Sequence, residues 1–159
     1  MVRTMDVLYR DQERKKPIGG SLMKNKKVHV RLTNSELDMM QLLWEAGRPL
    51  NRAEIMEIAL RDPDHPLFAK NSFHVIINNL MGYQFIAAFM NNGAGRKNAR
   101  RFAPMITRNE YFAMQISTTE HYENADIPEI VAALFKYSKV QNKEEMLEQV
   151  NAAVRRNAK

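Results

Sequence analysis

The chain has 159 residues, 45% of them apolar, 24 Lys/Arg against 18 Asp/Glu, a net charge of +6, and no cysteine. That length holds one domain with an appendage, and the apolar share supplies a core, so a wholly disordered chain is excluded. The missing thiols exclude disulfide frameworks, zinc ribbons, iron–sulfur clusters and thiol catalysis, and no apolar run approaches the roughly eighteen residues of a membrane span.

The charge is segregated along the chain. Residues 1–31 carry nine basic and three acidic residues, and the rest balances to zero. Within that rest, residues 32–65 come to −4, residues 66–112 to +5 and residues 113–159 to −1. Two positive segments on a neutral body point to a polyanion partner, because Lys and Arg that neutralise phosphates release condensed counterions. A merely solubilising tail is the plainer reading of the first segment alone.

Residues 1–28 read as a flexible basic arm without apolar periodicity, interrupted by KKPIGG at 15–20. Residues 1–16 lack the apolar stretch of a secretory signal, so the expected location is the cytoplasm, with no membrane partner. Beyond the arm, five pairs have the spacing of a capping box, in which a short polar N-cap and an acid three residues on satisfy two orphan N–H groups. These are Thr33/Glu36, Asn51/Glu54, Thr107/Glu110, Asp126/Glu129 and Asn142/Glu145. Five such starts, each opening an apolar-periodic stretch, predict a largely helical chain.

The first helix is expected over about 34–46, with Leu37, Met40, Leu43 and Trp44 inward and Gly47 as its stop. A second, about 52–61, buries Ile55, Ile58 and Ala59 before the DPDHP run at 62–66. A third, about 71–81, buries Phe73, Ile76, Ile77 and Leu80. The period then changes: 84–90 is apolar and partly β-forming, NNGAG at 91–95 is turn chemistry, and 100–103 returns before Pro104. Three helices followed by a hairpin with a basic tip is the order of a winged helix-turn-helix. Three further helices are expected at about 108–122, 127–138 and 143–156. Ile127, Ile130, Val131, Leu134 and Phe135 form one apolar stripe, and Met146, Leu147, Val150 and Val154 another. Stripes of this kind must bury against something, and a second copy of the chain is the expected cover.

The fold class is therefore mainly α with a small β-hairpin wing. A basic arm occupies 1–28, a winged helix-turn-helix domain 29–105, and a helical dimerisation region 106–159. In such a domain the second helix of the motif enters the major groove with its N-terminal residues toward base edges. The core face of the third helix leaves Asn71, His74, Val75 and Asn78 as one outer stripe. Asn bonds adenine N6/N7 bidentately and Val touches a thymine methyl, so half-sites containing A·T pairs are favoured. Lys70 and Ser72 stand at the helix start for phosphate. Arg96, Lys97, Arg100 and Arg101 of the wing would neutralise backbone, with Arg96 reaching the minor groove. Ordinary solvated surfaces are the competing reading of both features.

Residues 31–47, RLTNSELDMMQLLWEAG, resemble the opening of the penicillinase repressor family, which has a Leu-Thr-x-x-Glu-x-x-hydrophobic-Met-x-x-Leu-Trp pattern. The likeness continues through LNRAEI at 50–55, Asn71–Ser72, Asn79–Leu80, Gly95–Arg96, RFAP at 101–104 and NKEE at 142–145. It covers all but the arm. The resemblance implies a homodimeric bacterial repressor that binds double-stranded DNA at a palindromic operator and dimerises through its C-terminal helices. The dimer interface would then be Ile127, Ile130, Val131, Leu134, Phe135, Met146, Leu147 and Val150. The chain departs from two branches of the family. The copper-responsive branch has a C-terminal cysteine motif, and this chain has no cysteine. The β-lactam branch is inactivated by an antirepressor protease at an Asn–Phe bond; that dipeptide does not occur here, and residues 116–119 read Ile-Ser-Thr-Thr. That mode of derepression is not expected.

No enzyme, cofactor or metal is expected. Gly93-x-Gly95 lacks the Lys-Ser/Thr of a phosphate loop and sits at a hairpin tip. Ser21 and Lys24 match an acyl-transfer motif in letters only, with no core to hold a nucleophile. Asp62, Asp64 and His65 could be drawn as metal ligands, but the two prolines between the helices explain that run more simply. Trp44 and the eleven Met residues read as core filling. Two other classes of function remain compatible with the sequence: a winged-helix protein-interaction module, and a sequence-indifferent architectural DNA-binding protein driven by the arm.

Overall fold

The computed structural model describes residues 30–90 and 100–157. The arm at 1–28 and the wing residues 91–99, Arg96 and Lys97 among them, lie outside the described residues. The chain is mainly α-helical with one small antiparallel sheet, as a winged helix requires, and divides after Thr118 into two compact units.

The first unit begins with α1 (Asn34–Ala46), whose capping box is complete: Thr33 Oγ1 accepts from the Glu36 N–H, and Glu36 Oε2 accepts from the Thr33 N–H at 2.8 Å. Gly47 ends the helix in the left-handed region, φ 61°, where a Cβ would be strained. Its buried face is wider than the sequence period indicated: Met39, Met40, Leu42 and Leu43 are fully inside, while Leu37 and Trp44 are partly covered. A helix packed by neighbours on two sides presents more than one stripe. Next comes β1 (Leu50–Asn51), then α2 (Arg52–Ala59), again with a full capping box between Asn51 and Glu54. The helix stops two residues short of the expected Arg61. The 60–67 loop closes on it through the Leu67 N–H to Ala59 O bond, 2.9 Å, with Phe68 buried behind. Asp62 turns out to be a turn former, its carboxylate accepting from the backbone N–H groups of Asp64 and His65.

A 3₁₀ turn, Lys70–Ser72, leads into α3 (Phe73–Gly82). Phe73, Ile76, Ile77 and Leu80 are all buried, as the period predicted. The helix ends in a Schellman arrangement, with Phe85 N–H donating to Leu80 O and Gln84 N–H to Met81 O. Gln84 takes the left-handed position usually held by glycine, φ 62°, and thereby turns Phe85 back into the core. The strands β2 (Ile86–Phe89) and β3 (Arg101–Pro104) form the hairpin, paired from Ile86↔Pro104 to Phe89↔Arg101. The wing has a third strand that the sequence did not disclose: β1 pairs with β3, Leu50↔Phe102 and Asn51↔Arg101, giving the order β1-β3-β2. Two residues have no detectable alternation, so only their partner identifies them as a strand.

The first unit also includes α4 (Arg108–Ser117), within the segment 106–159 assigned above to a separate region. Its Tyr111 is buried among Trp44 and Phe85, its hydroxyl accepts from the Leu32 N–H at 3.2 Å, and Gln115 donates to Val30 O at 2.8 Å. Trp44 Nε1 donates to Ile106 O at 2.8 Å across the same seam. The helix ends at Ser117 rather than 122, where the Thr118 hydroxyl bonds back to Met114 O at 2.7 Å.

The second unit contains a 3₁₀ turn, Asn124–Asp126, then α5 (Ile127–Tyr137) and α6 (Lys143–Asn157). The expected Asp126/Glu129 box is absent. Asp126 is already helical, φ −77° and ψ −15°, and its carboxylate turns back to accept from the Glu123 N–H at 2.9 Å. The reciprocal pair is Glu123/Asp126, one turn earlier. For α6, Asn142 Oδ1 caps the Glu145 N–H at 3.1 Å. No described residue of this unit is buried.

Candidate nucleic-acid interface

The third helix presents two faces with opposite chemistry. Inward, Phe73, Ile76, Ile77 and Leu80 anchor it to the core. Outward, Asn71, His74, Val75 and Asn78 are exposed together, with Val75 at 60%. An exposed β-branched apolar side chain between two amides and an imidazole has no role in the core. Lys70 is exposed in the 3₁₀ turn ahead of the helix, and Ser72 is half-buried with no side-chain capping bond of its own.

Two contacts hold α3 in place beyond apolar packing. Asn79 Nδ2 donates to Glu36 Oε1 at 2.9 Å, and Glu36 is 3% exposed. At its head, the Phe73 ring stands edge-on to His74 at 5.4 Å and to Phe102 of β3 at 6.2 Å. The Arg52 guanidinium lies over the same ring, 5.4 Å from its centroid.

The wing cations divide. Arg100 is exposed immediately before β3. Arg101 is only 31% exposed at its side chain and is engaged at the base of the wing, its Nη1 donating to Pro49 O at 3.1 Å and to Glu54 Oε2 at 3.3 Å. Arg48 meets the other oxygen of Glu54 at 2.8 Å. The Asn51 backbone N–H first, then the Arg48 hydrogen bond, and last the charge of Arg101, hold the Glu54 carboxyl below the usual carboxylate range against the opposing effect of burial. One acid thus gathers α2, β1 and β3. The sequence placed Arg101 on the wing but carried no sign that Glu54, some 47 positions away, would engage it.

The C-terminal stripe is open to solvent to different degrees. Ile127, Leu134 and Leu147 are about half exposed, and Ile130, Val131, Phe135, Met146 and Val150 are partly covered. Tyr137, at 80%, and Val154, at 62%, extend the exposed apolar surface of the same helices.

Among the described residues no helix is long and apolar enough to cross a membrane. The profile of the penicillinase repressor family matches residues 32–153. No curated protein matches the chain.

Proposed function

The chain belongs to the penicillinase repressor family of DNA-binding transcriptional regulators, and on that premise we propose that it is a homodimeric cytoplasmic repressor of a palindromic operator. The observation that carries the reading is the outer stripe of α3, where Asn71, His74, Val75 and Asn78 stand exposed opposite a fully buried anchor. Asn71 and Asn78 pair with adenine edges, Val75 meets a thymine methyl, and His74 supplies a further donor to base or phosphate. Lys70 and Ser72 fix the helix against the backbone. Arg100 neutralises phosphate together with Arg96 and Lys97, while Arg101 shapes the wing from its base. The two copies meet through Ile127, Ile130, Val131, Leu134, Phe135, Met146, Leu147 and Val150. A two-fold axis then presents two reading helices to two half-sites.

Competitive binding tests this reading. The duplex upstream of the protein's own gene is set against a scrambled duplex near physiological salt. Retention of the native duplex by about a thousandfold or more, the lower range for specific binders, is expected. Equal, salt-sensitive binding to both duplexes would replace the repressor with an architectural DNA-binding protein, and absence of binding to either would replace it with a protein-interaction module.

A further inference from the structure

The described cations of the first unit fall into distinct sets. Arg48 and Arg101 spend their charge on Glu54. Arg108 lies over Phe112 on α4, 5.5 Å from the ring centroid. Arg52, like Arg108, is exposed and makes no ion pair among the described residues, but the ring it rests on, Phe73, is at the head of α3.

From this arrangement, and resting on the repressor reading above, we propose that Arg52 binds a DNA backbone phosphate beside the half-site read by α3. A guanidinium held over a ring by a cation–π contact keeps its N–H donors free of any carboxylate, and such a fork matches the bidentate geometry of a phosphate. The ring beneath it is 2% exposed and wedged against Phe102, so it is a rigid seat. Arg52 is thereby held in register with the reading stripe before any ligand arrives, which reduces the side-chain entropy lost on binding. Charge counting along the sequence hides this residue, because it lies in the acidic segment 32–65. In space the acid nearest to it in sequence, Glu54, is already engaged by two other arginines.

The test uses the full chain, the native upstream duplex and a scrambled duplex of equal length, with affinity followed as a function of salt. Arg52→Gln and Arg52→Met both remove the charge, and Met retains an apolar cover over Phe73. Each is expected to reduce the magnitude of the log–log salt slope by about 0.9 per bound protomer. The loss should be similar on both duplexes, leaving their affinity ratio within about twofold of the unsubstituted protein. Arg52→Lys should restore the slope. An unchanged slope in folded Arg52→Met overturns the assignment while leaving the repressor reading intact. Collapse of the affinity ratio with an unchanged slope also overturns it, since Arg52 would then act on the pose of α3. If the unsubstituted protein shows no salt-dependent binding to either duplex, the repressor reading falls and the assignment with it. Thermal unfolding of each variant separates lost contacts from lost fold.

Discussion

The side-chain amide of Asn79 on α3 donates to the buried carboxylate of Glu36 on α1 across 2.9 Å. Glu36 also accepts from the Thr33 backbone N–H and hydroxyl, so one acid both caps α1 and holds α3. Asn79 is itself exposed, but its removal leaves the buried Glu36 carboxylate to bear its own desolvation. Asn79→Ala should therefore cost about 1–3 kcal/mol, read as a lower urea midpoint at an unchanged m-value. Asn79→Asp, which sets a second carboxylate against the first, should cost more. An unaltered midpoint in Asn79→Ala would mean that water replaces the amide freely and that the bond does not fix α3.

Asn78, one position earlier, is exposed as well but makes no bond to Glu36, and it should behave in the opposite way. Its replacement by Ala removes no core contact and should leave the unfolding midpoint within experimental scatter. In DNA binding it should lower discrimination at one base step by about 1–3 kcal/mol, measured on a set of single-substitution duplexes. Equal loss on every duplex would remove Asn78 from the reading head.

The cluster at the base of the wing makes a pH-dependent contribution. The folded pKa of Glu54 lies below its ordinary 4.5, chiefly through the Asn51 N–H and then Arg48. A depressed folded pKa contributes stability that is fully present above the unfolded value and is lost as pH falls through the folded one. Glu54→Gln should thus lower the thermal midpoint at neutral pH and converge on the parent protein in acid. Glu110, depressed by the Thr107 N–H and hydroxyl, acts in the same direction, so Glu54→Gln/Glu110→Gln should flatten the acid limb further. Parallel pH profiles for parent and variants would show that neither carboxylate couples to folding.

The apolar stripe of the second unit predicts an oligomer. Leu134, 53% exposed, and the partly covered Phe135 lie on adjacent positions of α5. Burying a Leu or Phe side chain contributes about 1.5–3 kcal/mol, and each change acts twice in a symmetric pair. Leu134→Glu and Phe135→Glu should each shift sedimentation from the mass of two chains to that of one. Operator affinity should fall with them, because two linked half-sites reinforce one another. Unchanged sedimentation would move the interface elsewhere.

Local chemistry made much of this molecule legible from its residues. Capping at Thr33, Asn51, Thr107 and Asn142 follows from side chains within three residues of the helix starts. The apolar period of α3 determined which of its faces is buried, and therefore which positions form the outer stripe. The Asp126 start failed because a competing acid–backbone pair one turn earlier, with Glu123, claimed its carboxylate.

What only the tertiary structure decided are the long-range pairings. β1 exists because β3 lies beside it, and Tyr111 joins the winged unit because Trp44 and Phe85 leave room for its ring while the Leu32 N–H needs an acceptor. The fates of the arginines are of the same kind. Arg101 turns to Glu54 and Arg52 to Phe73, partners that lie 47 and 21 positions away. Coulomb and stacking energies depend on distance in space. Sequence establishes that these cations are present, whereas the fold determines which of them already has a partner and which one faces outward.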